Sequence, residues 1–391
     1  MAAPMRVVQR LLGLRHLDEL PAALVSSAPL LGAVEVAVLL ADYEQLALWP
    51  FTRGDARAAS SVAIDGTAAG RAYASARPVR ETGDAGVLLW LPLSQGAHRL
   101  GVLRVTLRAD PGDESLRALS VIAALVAELI CGRRLYGDAV EHTRRRLPMQ
   151  LAAEIIWNQL PPLSLATGDT VITAVLEPSY DVGGDTFDYA ANGATVHVAL
   201  FDTVGHGIAA SALATLALNT YRNARRCGLS LTDTYRSIDK WVRAHHHGAF
   251  VTAVLAELDT TTGLYRRICA GHPAELLLRG GTPLPPLPGP TALPLGLAHM
   301  RAEPPRVTQH LLEPGDTLLL YTDGITESRS ADGELFGLDR LSAFVTAALA
   351  RRTPPAEIMR RLIQTIVSYE AGELHDDATA ALLQWHPAPT P

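Results

Sequence analysis

The sequence predicts an α+β protein built from two mixed domains and a connector. Its 391 residues exceed an ordinary domain of about 150 residues, so more than one domain is expected. Short β-like runs alternate with helical patterns along the chain. A hydrophobic share of 48% against 19% charged residues provides enough apolar side chains for large cores, which excludes a disordered chain.

Charge and cysteine content exclude several other classes of protein. The 34 basic and 40 acidic residues give a net charge of −6, which does not favour a surface for nucleic acid. Cys131, Cys227 and Cys269 lie far apart without a CxxC pattern, so we expect core thiols in a reducing cytoplasm rather than disulfides or a zinc site. The longest strongly apolar stretch, 118–130, is shorter than the roughly 18 residues of a membrane span. We therefore expect a cytoplasmic protein without a membrane segment.

The first segment, residues 1–132, has the pattern of an α/β domain. Two pairs of β-like runs, each pair separated by a polar turn, predict hairpins within 32–51 and 87–107. Small residues at 66–76 predict a short helix that ends before a proline. From Asp113 onward, apolar residues recur at helical spacing and predict a longer helix.

Residues 133–167 change in character and predict a connector. A basic cluster of Arg144, Arg145 and Arg146 precedes a helical pattern over 149–160. We interpret the arginines as a solvated surface. The apolar face of the helix either packs on a neighbouring domain or pairs with a second subunit, and a few apolar turns leave both alternatives open.

The last segment, residues 168–391, is rich in strands that run into acidic turns. Helical patterns cover 208–226, 231–245 and 338–352, and β-like runs cover 171–177, 195–201, 250–258, 317–321 and 378–385. The proline-rich stretch 283–294 predicts a surface loop. This segment therefore forms the larger α+β domain.

Carboxylates at the strand ends of this domain are the candidate site. In chain order they are Asp185, Asp202, Asp323, Asp376 and Asp377. Asp185 follows two glycines, Asp202 follows an apolar run, Asp323 precedes a glycine, and Asp376 and Asp377 precede the last run. Carboxylates from neighbouring strand ends can converge, and glycines permit close approach. Carboxylate oxygens without His or Cys partners suit Mg²⁺ or Mn²⁺ and not zinc. Two such ions about 4 Å apart would activate a water for attack on a phosphoryl group. Any single aspartate of this kind is more simply a turn or cap residue, so the prediction depends on all of them together.

Seven segments in the same domain resemble a known family in their sequence and order. They are EPSYDVGGDTFDY, ALFDTVGHGIAAS, AFVTAVLAELD, CAGHPAELLLR, PLGL, LEPGDTLLLYTDGITESR and HDDATAALL. Together they cover nearly all of residues 168–388 and resemble the metal-dependent serine/threonine protein phosphatases (the PPM family). Within it they are most similar to the bacterial SpoIIE-type branch, which controls sigma factors. The resemblance implies an α-β-β-α sandwich with two packed sheets and two Mn²⁺ or Mg²⁺ ions at one end.

The resemblance also implies a role for each site residue. Asp185 and Asp202 would bridge or hold the two ions, and the backbone carbonyl of Thr203 would add an oxygen ligand. Asp323 and Asp376 would complete the site. Asp377 stays an alternative for the last position, because sequence alone cannot separate two adjacent aspartates.

Histidines near these motifs are weaker candidates. His206 adjoins Asp202 and could relay a proton, although we expect it to stabilise its turn. The tract at 245–247 resembles a metal-binding run, but it ends a predicted helix and we interpret it as structural. We expect His272 to pack at a strand end near the site, and His375 lacks the spacing of a ligand.

The first segment, over residues 10–132, resembles a GAF sensory domain more loosely. The similar features are the small-residue segment that ends in Arg-Pro-Val at 77–79, the Leu-Pro-Leu strand end at 91–93 and the Gly-Val-Leu strand start at 101–103. The resemblance implies a domain that binds a small molecule or that forms a homodimer without one, and both alternatives remain open.

The implied function is removal of phosphate from serine or threonine of a small regulatory protein of the anti-sigma-factor antagonist type. The alternative is a pseudo-phosphatase, which is a partner-binding module with little or no activity. Retention of every carboxylate favours the enzyme. As a hypothesis, a signal at the first domain would rotate or dock the helix at 149–160 and thereby order the metal site.

Overall fold

The computed structural model describes residues 3–52, 60–83, 86–181, 183–246, 248–301, 303–372 and 374–387. It divides into two compact units, Met1–Pro148 and Met149–Pro391. This division falls inside the segment 133–167 that the sequence predicts as a connector. Two residues of the sequence motifs, Val182 and His247, lie outside the described residues.

The N-terminal unit contains one antiparallel sheet with helices on both faces. In its described part, the strands are β1 (Ala33–Ala41), β2 (Ala47–Pro50), β3 (Val62–Ala63), β4 (Val79–Gly83), β5 (Gly86–Gln95) and β6 (His98–Leu107). The helices are α1 (Ala3–Leu12), α2 (Leu20–Ser27), α3 (Ala68–Ser75), α4 (Asp113–Arg133) and α5 (Ala139–Arg144). The sheet order is β3-β2-β1-β6-β5-β4. Both predicted hairpins and both predicted helices are confirmed.

The two faces of this sheet pack against different helices. One face shares a core with α1, α2 and α4, and the other packs against α3 through Tyr73 and Trp90, both of which are buried. Among the described residues, one helical stretch, Asp113–Tyr136, is long and apolar enough to cross a membrane by length and composition alone. It buries Ile122 and Val126 in the first core, as an amphipathic helix does against a sheet.

The arginine cluster was predicted to be a solvated surface, and this prediction is wrong. The guanidinium of Arg144 lies 4.4 Å from the ring centroid of Tyr43, and that of Arg146 lies 4.1 Å from the ring centroid of Trp49. Arg145 pairs with Glu141 at 3.2 Å. Planar guanidinium groups stack well on aromatic faces, so the cluster binds the β1–β2 hairpin of its own unit.

The C-terminal unit contains two sheets between two layers of helices. Its strands, among the described residues, are β7 (Ser164–Ala166), β8 (Thr170–Glu177), β9 (Thr186–Asn192), β10 (Thr195–Thr203), β11 (Val251–Asp259), β12 (Leu264–Ala270), β13 (Leu276–Arg279), β14 (Thr282–Pro283), β15 (Thr308–Leu311), β16 (Thr317–Tyr321) and β17 (Ala378–Trp385). Its helices are α6 (Leu151–Trp157), α7 (Gly207–Arg226), α8 (Leu231–His245), α9 (Asp323–Thr326), α10 (Gly337–Ala350) and α11 (Pro355–Tyr369).

The layers follow from three separate cores. The first sheet has the order β15-β12-β11-β10-β9 and the second has the order β14-β13-β16-β17-β8-β7. One core lies between the two sheets. A second core joins the first sheet to α7 and α8, and a third joins the second sheet to α10 and α11. The predicted α-β-β-α sandwich is therefore confirmed, and burial of both faces of each sheet explains the nearly continuous apolar runs in β10 and β16.

Helix α6 lies in the segment predicted as a connector helix. Its Ala153 and Ile156 are buried in the core between the two sheets of its own unit, and it contacts α7. The apolar face therefore packs on the C-terminal unit, which is one of the two alternatives that the sequence left open.

Two further differences from the sequence predictions have simple reasons. Helix α11 was not predicted, although Ile358 and Leu362 recur at helical spacing and are fully buried. Cys227 is exposed and was wrongly expected in a core, since it follows the last turn of α7. Cys269 is buried and Cys131 is partly buried.

Candidate functional site

Antiparallel pairing brings the predicted carboxylates together. Asp185 directly precedes β9 and Asp202 lies near the end of β10, and these two strands pair with Phe201 opposite Thr186. In the second sheet, Asp323 follows β16 and the pair Asp376–Asp377 precedes β17, which is the partner of β16. Each antiparallel pair therefore brings the end of one strand beside the start of the other.

Asp202 is surrounded by other carboxylates. Its pKa is raised to about 7, first by burial and then by the negative charges of Asp323, Asp376 and Asp377. A hydrogen bond from the Thr252 hydroxyl to Oδ2, at 3.3 Å, acts in the opposite direction. Like charges that approach without a cation favour a bound proton, so this side chain is poised to exchange a proton for another positive charge.

Asp185 is the most deeply buried of the bridging candidates. Only 3% of its surface is exposed, and its pKa is raised well above the usual range by burial and by the charges of Asp377 and Asp202. The Thr322 hydroxyl donates a hydrogen bond to its Oδ2 at 2.8 Å. Thr322 directly follows β16 of the second sheet, and Asp185 directly precedes β9 of the first, so this hydrogen bond connects the two sheets at the site.

The adjacent aspartates 376 and 377 have different environments. Oδ1 of Asp377 accepts the backbone N–H of Gly183 at 2.7 Å, and its Oδ2 accepts those of Gly184 and Asp185 at 2.7 and 2.9 Å. Asp377 is buried, whereas Asp376 is exposed and accepts only its neighbour's N–H among the bonds described here. Asp377 therefore binds the glycine loop that carries Asp185.

Asp323 is half-buried at the first position of α9. Its pKa is raised by burial and by the charges of Asp376 and Glu327, and a hydrogen bond from the backbone N–H of Gly324 partly offsets this rise. The negative charge of Asp376 therefore raises the pKa values of both Asp323 and Asp202.

Two glycines permit the close contacts on which this geometry depends. A Cβ atom at Gly184 would lie 1.9 Å from the Thr203 hydroxyl, and one at Gly324 would lie 2.1 Å from the carbonyl oxygen of Asp377. Replacing either glycine by alanine would force the neighbouring segments apart, because a real Cβ atom does not approach another atom so closely. The sequence predicted close approach at these glycines, and the approaching groups belong to the protein itself.

The side chain of Thr203 has a structural contact that the sequence did not reveal. Its hydroxyl donates to the carbonyl oxygens of Gly184 at 3.1 Å and Ala210 at 3.3 Å. Thr203 therefore ties the glycine loop to the first turns of α7, in addition to presenting its backbone at the end of β10.

The histidines differ in their agreement with the predictions. His206 directly precedes α7, and its exposed side chain makes no capping hydrogen bond, so it does not stabilise the turn in that way. His245 stacks on Trp241 at a helix end, which is a structural role as predicted. His375 is exposed and pairs with Glu370 at 3.0 Å. His272 is buried beside the site, as expected.

One contact of His272 identifies a residue that sequence reasoning missed. Its Nδ1 lies 2.7 Å from the hydroxyl of Thr252, which also donates to Asp202. Thr252 lies on β11 directly opposite Asp202 on β10. Residues that lie directly opposite each other in an antiparallel pair have their side chains on the same face of the sheet. Only the register of β10 and β11, which sequence alone does not give, identifies Thr252 as the residue opposite Asp202.

The donor chemistry of the site fits a hard divalent cation. Carboxylate side chains lie near one another there and raise one another's pKa values. Across the described residues, no group of three or more His, Cys, Asp or Glu side chains is arranged to hold a metal ion without further movement. Mg²⁺ usually keeps several waters and uses one or two carboxylates in a site of this kind, so the open arrangement is compatible with the donor set.

Comparison with known proteins agrees with this architecture. Residues 192–386 match the family described as Stage II sporulation protein E (SpoIIE). The C-terminal unit is a SpoIIE-type domain of the PPM phosphatase family. The matched part of this SpoIIE-type domain includes Asp202, Asp323, Asp376 and Asp377, whereas Asp185 precedes it by seven positions.

Two curated relatives share the SpoIIE-type domain. The phosphoserine phosphatase RsbU of Bacillus subtilis (strain 168) is 22% identical over 215 residues, which are 54% of this chain and 62% of RsbU. Protein IcfG of Synechocystis sp. (strain ATCC 27184 / PCC 6803 / Kazusa) is 22% identical over 277 residues, which are 63% of this chain and 43% of IcfG. The chain therefore spans less than two thirds of either relative.

Solved structures similar to the SpoIIE-type domain include two bacterial proteins. The RsbU and RsbW domains of Rv1364c from Mycobacterium tuberculosis superpose with a TM-score of 0.49 at 24% identity, covering 59% of this chain and 63% of that one. The SiaA-PP2C domain of Pseudomonas aeruginosa has a TM-score of 0.48 at 20% identity, covering 55% of this chain and 85% of that one.

Proposed function

We propose that the chain is an Mn²⁺- or Mg²⁺-dependent protein phosphatase that hydrolyses phosphoserine or phosphothreonine monoesters. The observation that carries this proposal is the set of carboxylates from four strand ends, which raise one another's pKa values instead of pairing with arginines. Such a set is unfavourable until a multivalent cation neutralises it. Membership in the SpoIIE family supports phosphatase activity.

We assign the ion-binding roles to five residues. Asp185, Asp202, Asp323 and Asp376 would hold two ions through their carboxylates, and Thr203 would contribute its backbone carbonyl. When bound, the ions would neutralise the phosphoryl oxygens and activate a water for in-line attack. We favour Asp376 over the alternative, Asp377, because both carboxylate oxygens of Asp377 accept backbone N–H groups.

The remaining residues of the site would orient these ligands. Thr322 donates to Asp185 and Thr252 donates to Asp202. Asp377 holds the glycine loop, so it keeps Asp185 close to Asp202. Substrate discrimination would then depend on exposed groups around the site and not on the buried carboxylates themselves.

We propose that the substrate is a small phosphorylated regulator of the anti-sigma-factor antagonist type, in sigma-factor partner switching in the cytoplasm. The similarity to the phosphoserine phosphatase RsbU supports this proposal. We further propose that the N-terminal unit is a GAF-like domain that senses a small molecule or forms a homodimer. Its buried Tyr73 and Trp90 fill the face of the sheet beside α3.

A second candidate function is a partner-binding module with weak or no activity. The observation that favours it is the open arrangement of the carboxylates in the part of the chain that the structure describes. If the carboxylates move together and bind an added cation, the enzyme is favoured. If they remain apart when the cation is added, the partner-binding module is favoured.

The deciding experiment measures phosphate release from phosphorylated candidate antagonists with Mn²⁺ and with a chelator. We expect release only with Mn²⁺ and a loss of tenfold or more in Asp202→Asn and Asp323→Asn, since removal of one charge-stabilising group commonly reduces the rate about 100-fold. Asp339→Asn, at an exposed position on α10, is the control and should keep full activity. Equal release by all four proteins would overturn the phosphatase assignment, and Mn²⁺ binding without release would favour the binding module.

A further inference from the structure

His272 connects the two sheets at the end where the carboxylates meet. It lies in the loop after β12 and is only 6% exposed. Its Nδ1 is 2.7 Å from the hydroxyl of Thr252 on β11, in the first sheet. Its Nε2 is 3.1 Å from the backbone carbonyl oxygen of Tyr321 on β16, in the second sheet.

The partners of this imidazole define its protonation. A carbonyl oxygen can only accept, so Nε2 must carry the hydrogen that is donated to Tyr321. Burial lowers the pKa of His272 to about 4, so the ring is neutral near pH 7 and Nδ1 is an acceptor. The hydroxyl hydrogen of Thr252 is then shared between Nδ1 at 2.7 Å and Oδ2 of Asp202 at 3.3 Å, which is a three-centre hydrogen bond.

Each of the two hydrogen bonds of the His272 ring is made to a residue near one of the site carboxylates. Thr252 is the cross-strand neighbour of Asp202, and Tyr321 precedes Asp323 by two residues in a strand that is entirely buried. The backbone of the loop is itself held, since the thiol of Cys269 donates to the carbonyl oxygen of His272 at 3.0 Å. A buried ring whose two nitrogens are both hydrogen-bonded has little rotational freedom. It can therefore hold Thr252 and Tyr321 at a fixed distance from each other.

We propose that His272 is a positioning residue that sets the distance between Asp202 of the first sheet and Asp323 of the second, with Thr252 as its contact to Asp202. This proposal rests on the proposed function, because it matters only if the two carboxylates share bound ions. It extends that function by assigning a role to two residues that do not contact the ions. Groups that orient metal ligands in this way typically change metal affinity by about 10- to 100-fold when they are removed.

Two pairs of variants separate positioning from simple packing. His272→Gln places an amide nitrogen near the Nε2 position and removes the acceptor for Thr252, whereas His272→Asn keeps an acceptor near the Nδ1 position. Thr252→Val removes the hydroxyl at nearly constant volume, and Thr252→Ser retains it. His197→Gln is the control, because His197 lies on β10 five residues before Asp202 and opposite Glu257.

The main readout is Mn²⁺ affinity by calorimetry, with the melting temperature of the metal-free protein measured in parallel. We expect His272→Gln and Thr252→Val to weaken Mn²⁺ binding about tenfold or more, and Thr252→Ser, His272→Asn and His197→Gln to bind more tightly than these two. The double variant His272→Gln/Thr252→Val should be no weaker than the poorer single variant, since both changes interrupt the same connection. Wild-type affinity in both His272→Gln and Thr252→Val would overturn the proposal, as would equal losses in Thr252→Val and Thr252→Ser.

A second readout does not depend on the proposed function. In the metal-free protein, nitrogen NMR of the ring should show the tautomer with hydrogen on Nε2. Hydrogen on Nδ1 would contradict the connection to Tyr321 even if the protein is an active phosphatase. Conversely, this tautomer in a wild-type protein that binds no Mn²⁺ would contradict the proposed function and leave the bonds of His272 intact.

Discussion

Two buried aspartates on either side of the start of β9 show how different partners give one residue type different roles. Asp188 is 2% exposed and Asp185 is 3% exposed. Asp188 accepts hydrogen bonds from Arg222 at 2.7 Å and from Arg225 at 2.6 Å. Asp185, three residues earlier, faces the carboxylates of Asp377 and Asp202. A buried carboxylate between arginines is part of the architecture, whereas one among carboxylates is a site for a cation.

The physical reason is the cost of removing charge from water. A buried ion loses hydration worth several kcal/mol, and an opposite charge with well-aligned hydrogen bonds can offset that loss. Arg222 also donates to the carbonyl oxygen of Gln159 at 2.7 Å, so Asp188 anchors the chain just after α6 to α7. Asp185 has only partial compensation from hydroxyl groups, and its pKa rises instead.

The largest expected effect comes from removing the charge of Asp188, the aspartate that pairs with two arginines. Asp188→Asn should lower the free energy of unfolding by about 3–5 kcal/mol, because it leaves two largely buried guanidinium groups without their carboxylate. Urea unfolding of the metal-free protein measures this loss. Asp185→Asn is the matched variant and should not lower the stability of the metal-free protein, since it removes a like charge. If Asp185→Asn proved as destabilising as Asp188→Asn, the distinction between the two would fail.

The second effect is a pH dependence of stability that arises from Asp202, one of the carboxylates that lie among like charges. The pKa of Asp202 is raised from 3.8 to about 7 in the folded protein, so the folded state holds this proton more tightly than the unfolded state. Its contribution to stability is fully present below about pH 4 and is lost as the pH rises to about 7. With partial solvent screening, we expect Asp202 to contribute a fall of about 2–3 kcal/mol across this window. The buried His272 contributes with the opposite sign, because its pKa is lowered and its stability contribution rises with pH.

Denaturant unfolding at several pH values tests this prediction. The stability of the wild type minus that of Asp202→Asn should fall between pH 4 and about 7. In the wild type, Mn²⁺ affinity should rise across the same window, because a ligand must lose its proton before it binds a cation. An equal change in stability between pH 4 and pH 7 in the wild type and in Asp202→Asn would contradict the raised pKa.

The smallest effect concerns a guanidinium stacked on an aromatic ring in the N-terminal unit. Arg146→Ala should weaken the β1–β2 hairpin by about 0.5–1 kcal/mol, since it removes a stack of a guanidinium on Trp49. Amide hydrogen exchange in the hairpin measures this change. Arg117→Ala, at an exposed position on α4, is the control and should leave exchange unchanged. Equal exchange in both variants would restore the interpretation of the arginines as a solvated surface.

Most of the fold and the identity of the acidic residues could be predicted from sequence, because both depend on local patterns. The strands that carry Asp202 and Asp323 were recognisable as apolar runs that end in acidic turns. Strands β9 and β12 were not predicted as strands, although β9 begins beside Asp185 and β12 ends beside His272. Their positions depend on pairing with β10 and β11, which no local pattern encodes.

The sequence by itself determined which side chains are available at the site and which family they resemble. Only the tertiary structure decided what each of them contacts. The hydrogen bond between Asp377 and Gly183 joins residues 194 positions apart, and the contact of Arg144 with Tyr43 joins two distant parts of one unit. Partners of this kind convert equal charges into different roles, since the free energy of a buried charge depends on the groups that surround it and not on its neighbours in the chain.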